Sequence, residues 1–209
     1  MAQPQPHPAQ PQTRRYLVLH GLENHRPEGH WQRLLAGELR RGGHQVLYPQ
    51  LPDADSPSLD AWLEALGAEL AIADEMGDGP LIVVAHSLAA VLWLTAASRG
   101  GVRADHVLLV APAGAEELEE HAPEFVVHPA DGDVTAAQVA AAGGSTLLVW
   151  SGDDEWCRAG ADTFYAEPLG LPVAVVPGAN HLALGDGYGP WPDVVAWALD
   201  PDQGWPVRR

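Results

Sequence analysis

Six short aliphatic runs punctuate the chain: YLVLH (16–20), QVLYP (45–49), LIVVAH (81–86), HVLLVA (106–111), STLLVW (145–150) and PVAVVP (172–177). A strand with one face in water alternates apolar and polar residues. Continuous Val, Leu and Ile instead predict strands covered on both faces. The intervening stretches predict helices over roughly 30–42, 58–76, 88–99, 134–142, 158–167 and 190–199. In the second of these, Trp62, Leu63, Leu66, Leu70 and Ala73 recur at three- and four-residue spacing, the stripe of an amphipathic helix. Strands alternating with helices imply right-handed crossovers and a three-layer α/β fold. Its centre would be a mostly parallel sheet of about six strands, with helices on both faces. Ligand sites in such sheets lie beyond the carboxyl ends of the strands. The longest irregular stretch, 112–133, is placed to cap such a site.

Composition narrows the partners. The formal net charge is −17, with 28 acidic against 11 basic residues. Too few cations are available to displace counterions from nucleic acid phosphates or to dock on anionic lipid. No run approaches the ~18 apolar residues of a membrane span. The opening residues, MAQPQPHPAQPQTRR, lack a secretory apolar core and predict a disordered leader over 1–15, with a single domain over 16–209. One cysteine, Cys157, permits no intrachain disulfide. A cytoplasmic protein that acts on a small molecule fits these features.

The chemistry concentrates at three run ends. Ala85-His86-Ser87-Leu88-Ala89 follows the third run and opens an apolar helix, the setting in which a tight strand-to-helix turn projects a serine hydroxyl. Ser87 would equally serve as an N-cap. A serine needs an adjacent base to act as a nucleophile, and in this kind of fold an acid and then a histidine follow it in the chain. STLLVW runs into Ser151-Gly152-Asp153-Asp154, and PVAVVP runs into Gly178-Ala179-Asn180-His181. His181 is the candidate base. Asp154 is favoured as its partner because an apolar side chain three residues later helps to pin the loop; Asp153 is the alternative. The backbone N–H of Leu88, at a helix N-terminus, is the first candidate donor to an oxyanion. Leu22 is the second, on a loop where Gly21 allows close backbone approach. His86, inside the turn, reads as structural rather than basic.

The ten histidines carry no metal-ligand spacing: His20, His25 and His30 recur at intervals of five, and no HExxH motif occurs. No Gly-rich phosphate loop follows the first run, so neither metal nor organic cofactor is expected. Trp31, Trp62 and Trp93 are assigned to the core; Trp156 and Trp191, near the candidate loops, are candidates to line a pocket.

His20-Gly21 with Gly29 to Gln32, the AHSLA turn, SGDDEWC (Ser151 to Cys157) and GANH…GYGPWPDV resemble small serine hydrolases of the YdeN and retinoblastoma-binding-protein-nine type. The likeness runs from Tyr16 to about Leu199. It implies a compact α/β-hydrolase with little or no cap, with Ser87 as nucleophile, His181 as base and Asp154 as its partner. The sequence departs from the pattern in three places, one of them the loop Glu23-Asn24-His25-Arg26, which is more charged than the Gly/Ser-rich form the resemblance implies. Ala85 and Ala89 stand where glycines flank the serine, and Glu155 stands where a proline follows the acid. The expected reaction is hydrolysis of a carboxylic ester, as in a carboxylesterase, through an acyl-enzyme. An amide, peptide or thioester needs only a different pocket, and a non-catalytic binding protein is the alternative of another class.

Overall fold

Successive residues of the inner strands face opposite cores, which is why their runs are continuously apolar. The structure is a computed structural model that describes residues 13–206. Its strands are β1 (Arg15–Leu19), β2 (Gln45–Leu47), β3 (Leu81–His86), β4 (Ala104–Val110), β5 (Gly143–Trp150) and β6 (Val173–Val175). They form one sheet in the order β2-β1-β3-β4-β5-β6, and every pairing is parallel. Leu17, Leu19, Val83, Ala85, Val107, Leu109 and Leu148 belong to one core. Tyr16, Val18, Ile82, Val84, Leu108, Val110 and Val149 belong to the other.

Helices α1 (Trp31–Arg41) and α7 (Pro192–Leu199) cover the second core. The first is covered by α2 (Leu59–Glu75), α3 (Leu88–Arg99), α4 (Ala115–His121), α5 (Ala136–Ala142) and α6 (Glu167–Leu169). The fold is the three-layer α/β-hydrolase arrangement. Trp31, Trp62 and Trp93 are buried in it as expected. Among the described residues no helix is long and apolar enough to cross a membrane.

Three expectations shift. The helix predicted over 158–167 starts later, as a π-helical turn at Asp162–Ala166 leading into α6. Gly160, with φ 83° and its N–H on the Cys157 carbonyl, keeps the preceding residues in a turn. Residues 112–133 are not a roof: α4 and the turns after it bury Leu118, Phe125 and Val127 in the core. Phe125 meets Trp62 edge-on at 5.3 Å, so apolar side chains draw this stretch down onto α2. Of the leader expected over 1–15, residues 1–12 lie outside the described residues. Arg15 already belongs to β1, its guanidinium donating to the carbonyls of Gly79 and Ala73 at 2.6 and 2.7 Å.

Candidate active site

The carboxyl ends of β1, β3, β5 and β6 carry Gly21–Leu22, Ser87, Asp154 and His181 to one rim of the sheet. Ser87 joins β3 to α3 with φ 56° and ψ −124°, a backbone conformation that a residue with a side chain rarely adopts. Such a residue costs on the order of 1–3 kcal/mol and must be held by its surroundings. Its N–H donates to the Val110 carbonyl at 2.9 Å, tying the turn to β4. Ala85 and Ala89 are both fully buried beside it, so the turn forms with alanine at each flank.

The Ser87 hydroxyl lies 2.8 Å from His181 Nε2. On the far side of the ring, Nδ1 lies 2.9 and 3.1 Å from the two Asp154 oxygens. A carboxylate only accepts, so Nδ1 carries the ring proton and Nε2 presents its lone pair to the serine. All three side chains are buried. Asp153 is elsewhere: its Oδ1 accepts from the Ser151 hydroxyl and from the Asn180 N–H. Those hydrogen bonds, the Ser151 one foremost, hold its carboxyl below the usual range. Asp154 also accepts the Trp156 N–H at 2.9 Å, which orients the carboxylate.

His86 is buried at the end of β3. Its Nε2–H donates to the His181 carbonyl at 2.9 Å. Burial, with the His181 and His30 imidazoles nearby, lowers its pKa well below the usual value, so the ring is neutral at pH 7. His20 fixes the other wall. Its Nδ1–H donates to the Gly21 carbonyl at 2.8 Å, while Nε2 accepts the Leu51 N–H at 2.8 Å. Burial lowers its pKa to about 4. Among the described residues, neither the Leu22 nor the Leu88 N–H donates to a protein acceptor. Two free donors thus flank the serine. A cavity of about 410 Å³ opens over Ser87 and His181, bounded by the loop from Gly21 to His25, by Trp156 and by Ala183–Gly185. Trp191 instead lines a separate groove between α1 and α7. Among the described residues no three His, Cys, Asp or Glu side chains are grouped to hold a metal.

Sequence reading missed the supports of the base loop. The Trp31 indole N–H donates to the Leu182 carbonyl at 2.8 Å. The Ser151 hydroxyl accepts the Ala179 N–H at 2.9 Å and lies 2.7 Å from the Val176 carbonyl. Asn180 and Leu182, on either side of His181, have φ of 45° and 55°. Asparagine before the histidine was the one legible sign, since it tolerates that conformation better than most residues.

The model of the family described as serine hydrolase matches residues 16–198. The ydeN gene product of B. subtilis superposes with a TM-score of 0.74 at 19% identity, over 91% of this chain and 100% of that one. A YdeN-like hydrolase of Pectobacterium atrosepticum gives 0.66 at 21% identity, over 90% of each chain. Est1E from Butyrivibrio proteoclasticus gives 0.63 at 16% identity, over 93% of this chain and 88% of that one. At such identities the likeness bears on the fold. No curated protein matches the sequence.

Proposed function

The chain belongs to the serine hydrolase family, and from that premise we propose that it cleaves a carboxylic ester through a Ser87–His181–Asp154 triad. The observation that carries this reading is the single imidazole within hydrogen-bond reach of both the serine hydroxyl and the buried carboxylate. His181 takes the Ser87 proton as the hydroxyl oxygen attacks the ester carbonyl. Asp154 holds the ring tautomer and stabilises the imidazolium that forms. The N–H groups of Leu22 and Leu88 receive the oxyanion, a contribution of about 3 kcal/mol for each donor in comparable sites. His181 then protonates the departing alcohol, and water attacks the acyl-enzyme by the same route in reverse.

An ester is favoured over an amide because an alkoxide is the easier group to expel and the half-open cavity demands little of the leaving group. Est1E, and a structure described for the metagenome-derived lipolytic enzymes LipS and LipT, share the fold. The substrate is a small molecule on the scale of the cavity. A cytoplasmic location is part of the proposal, since the single buried Cys157 requires no oxidising compartment.

Covalent labelling with a fluorophosphonate tests the reading. Wild type should label and Ser87→Ala should not, while turnover of a p-nitrophenyl ester falls by roughly three to six orders of magnitude in the variant. Equal labelling of the two proteins would refute the nucleophile. A well-folded wild type that neither labels nor turns over ester would favour a binding protein.

A further inference from the structure

The triad mechanism leaves the half-buried side chain at position 180 unused, and that side chain joins the acid loop to the base loop. Asn180 precedes His181, and Glu155 follows Asp154. The amide oxygen of Asn180 accepts the Glu155 N–H at 3.2 Å. Its amide nitrogen donates to Asp186 Oδ1 at 2.9 Å, and the other Asp186 oxygen accepts the Ala183 N–H at 3.0 Å. Ala183 and the two residues after it wall the cavity beside His181. One primary amide therefore links the residue after the acid, the residue before the base, and a wall of the cavity.

The chemistry of the partners fixes its orientation. A backbone N–H only donates and a carboxylate only accepts, so the site needs an oxygen toward residue 155 and an NH₂ toward residue 186. The contact with residue 155 also requires a backbone N–H there, which Glu155 has and a proline would lack. The positive φ at Asn180 aims this side chain across the gap while His181 turns the other way to Ser87.

We propose that Asn180 is a positioning residue that sets the spacing between the Asp154 carboxylate and the His181 imidazole. It acts through the orientation of His181, and it rests on the triad reading above. Displacement of a reacting group by about 1 Å can cost about a hundredfold in rate, so a clamp of this kind has a measurable consequence.

The test exploits the polarity of the link. Asn180→Asp preserves size and the oxygen facing Glu155, but sets a carboxylate against the Asp186 carboxylate. In the double variant Asn180→Asp/Asp186→Asn, amide and carboxylate exchange places. The carboxylate at 180 accepts from Glu155 and from the amide at 186, whose oxygen keeps the Ala183 N–H. The readout is fluorophosphonate labelling, resolved into the maximal rate and the half-saturating concentration. Asn180→Asp should lower the maximal rate by about 30- to 100-fold with half-saturation within about threefold, and the double variant should recover to within about fivefold of wild type. Circular dichroism checks folding of each protein. If the single aspartate variant does not fold, Asn180→Gly removes the link while tolerating the positive φ, and it should show the same selective fall in maximal rate. A wild-type rate in Asn180→Asp or Asn180→Gly, or a double variant no faster than a folded Asn180→Asp, overturns the positioning role. If Ser87→Ala loses labelling in the same series, that result leaves the triad standing. Wild-type protein that does not label overturns both.

Discussion

A β-carbon placed on Gly21 would lie 2.7 Å from the β-carbon of Ser87 and 3.1 Å from its hydroxyl oxygen. The first distance is closer than such atoms approach, and neither partner is the free end of a flexible chain. The loop after β1 thus comes as near to the serine as a peptide can, and it brings the Leu22 N–H with it. His20 and Gln32 hold it there: His20 donates to the Gly21 carbonyl at 2.8 Å, and the Gln32 side chain donates to the Leu19 carbonyl at 2.7 Å.

Gly21→Ala should therefore force the loop after β1 and the Ser87 turn apart, carrying the Leu22 N–H away from the reacting carbonyl. The expected effect is a loss of about a hundredfold or more in kcat for p-nitrophenyl ester hydrolysis, the usual scale for one oxyanion donor. Steady-state kinetics would check it. A variant within threefold of wild type would mean that the loop carries no such donor.

The adjacent carboxylates should separate cleanly by mutation. Asp154→Asn leaves the shape intact but presents an amide to His181 Nδ1, which invites the wrong ring tautomer. A fall of about three to four orders of magnitude in kcat is expected. Asp153→Asn touches the Ser151 hydroxyl and the backbone N–H groups of Ala179 and Asn180 rather than the imidazole, and should keep activity within about tenfold of wild type. The reverse ranking would reassign the acid.

Acid should weaken the fold through its buried imidazoles. Burial lowers the pKa of His20 and of His30 from 6.5 to about 4, and lowers that of His86 well below its usual value. As pH falls, the unfolded chain takes up these protons near 6.5, before the folded protein can. Stability is then complete above about 6.5 and declines toward about 4, by up to ~1.4 kcal/mol per pH unit for each ring. Urea unfolding followed from pH 7 to 4 should show this slope, and His20→Gln should reduce it. An unchanged slope in that variant would show that His20 is not among the titrating groups.

Much of this protein is legible in one dimension. Six aliphatic runs became six strands; in the inner four, coverage on both faces demands apolar residues at successive positions, and that demand leaves a clear mark. The order serine, acid, histidine, each just past a run, was equally readable, because loops at the carboxyl ends of parallel strands share one rim. Other features were not readable. Trp191 and Trp156 both sit near the candidate loops in sequence, yet only Trp156 faces the cavity at Ser87. Residues 112–133 look irregular and available as a cap. They fold down instead, since Leu118 and Phe125 find a core that no local pattern announces.

The sequence by itself determined the layer order, the edge of the sheet where chemistry can occur, and the residue types brought there. Those follow from local periodicity and strand-end placement, which are properties of short segments. Only the tertiary structure decided which of two neighbouring aspartates meets the imidazole, and which side chains clamp the loops that carry them. Such choices turn on ångström-scale directions set by positive φ at Ser87, Asn180 and Leu182, and by partners up to 151 residues away, as Trp31 is from Leu182. A linear pattern records neither backbone handedness nor distant hydrogen-bond partners; packing supplies both.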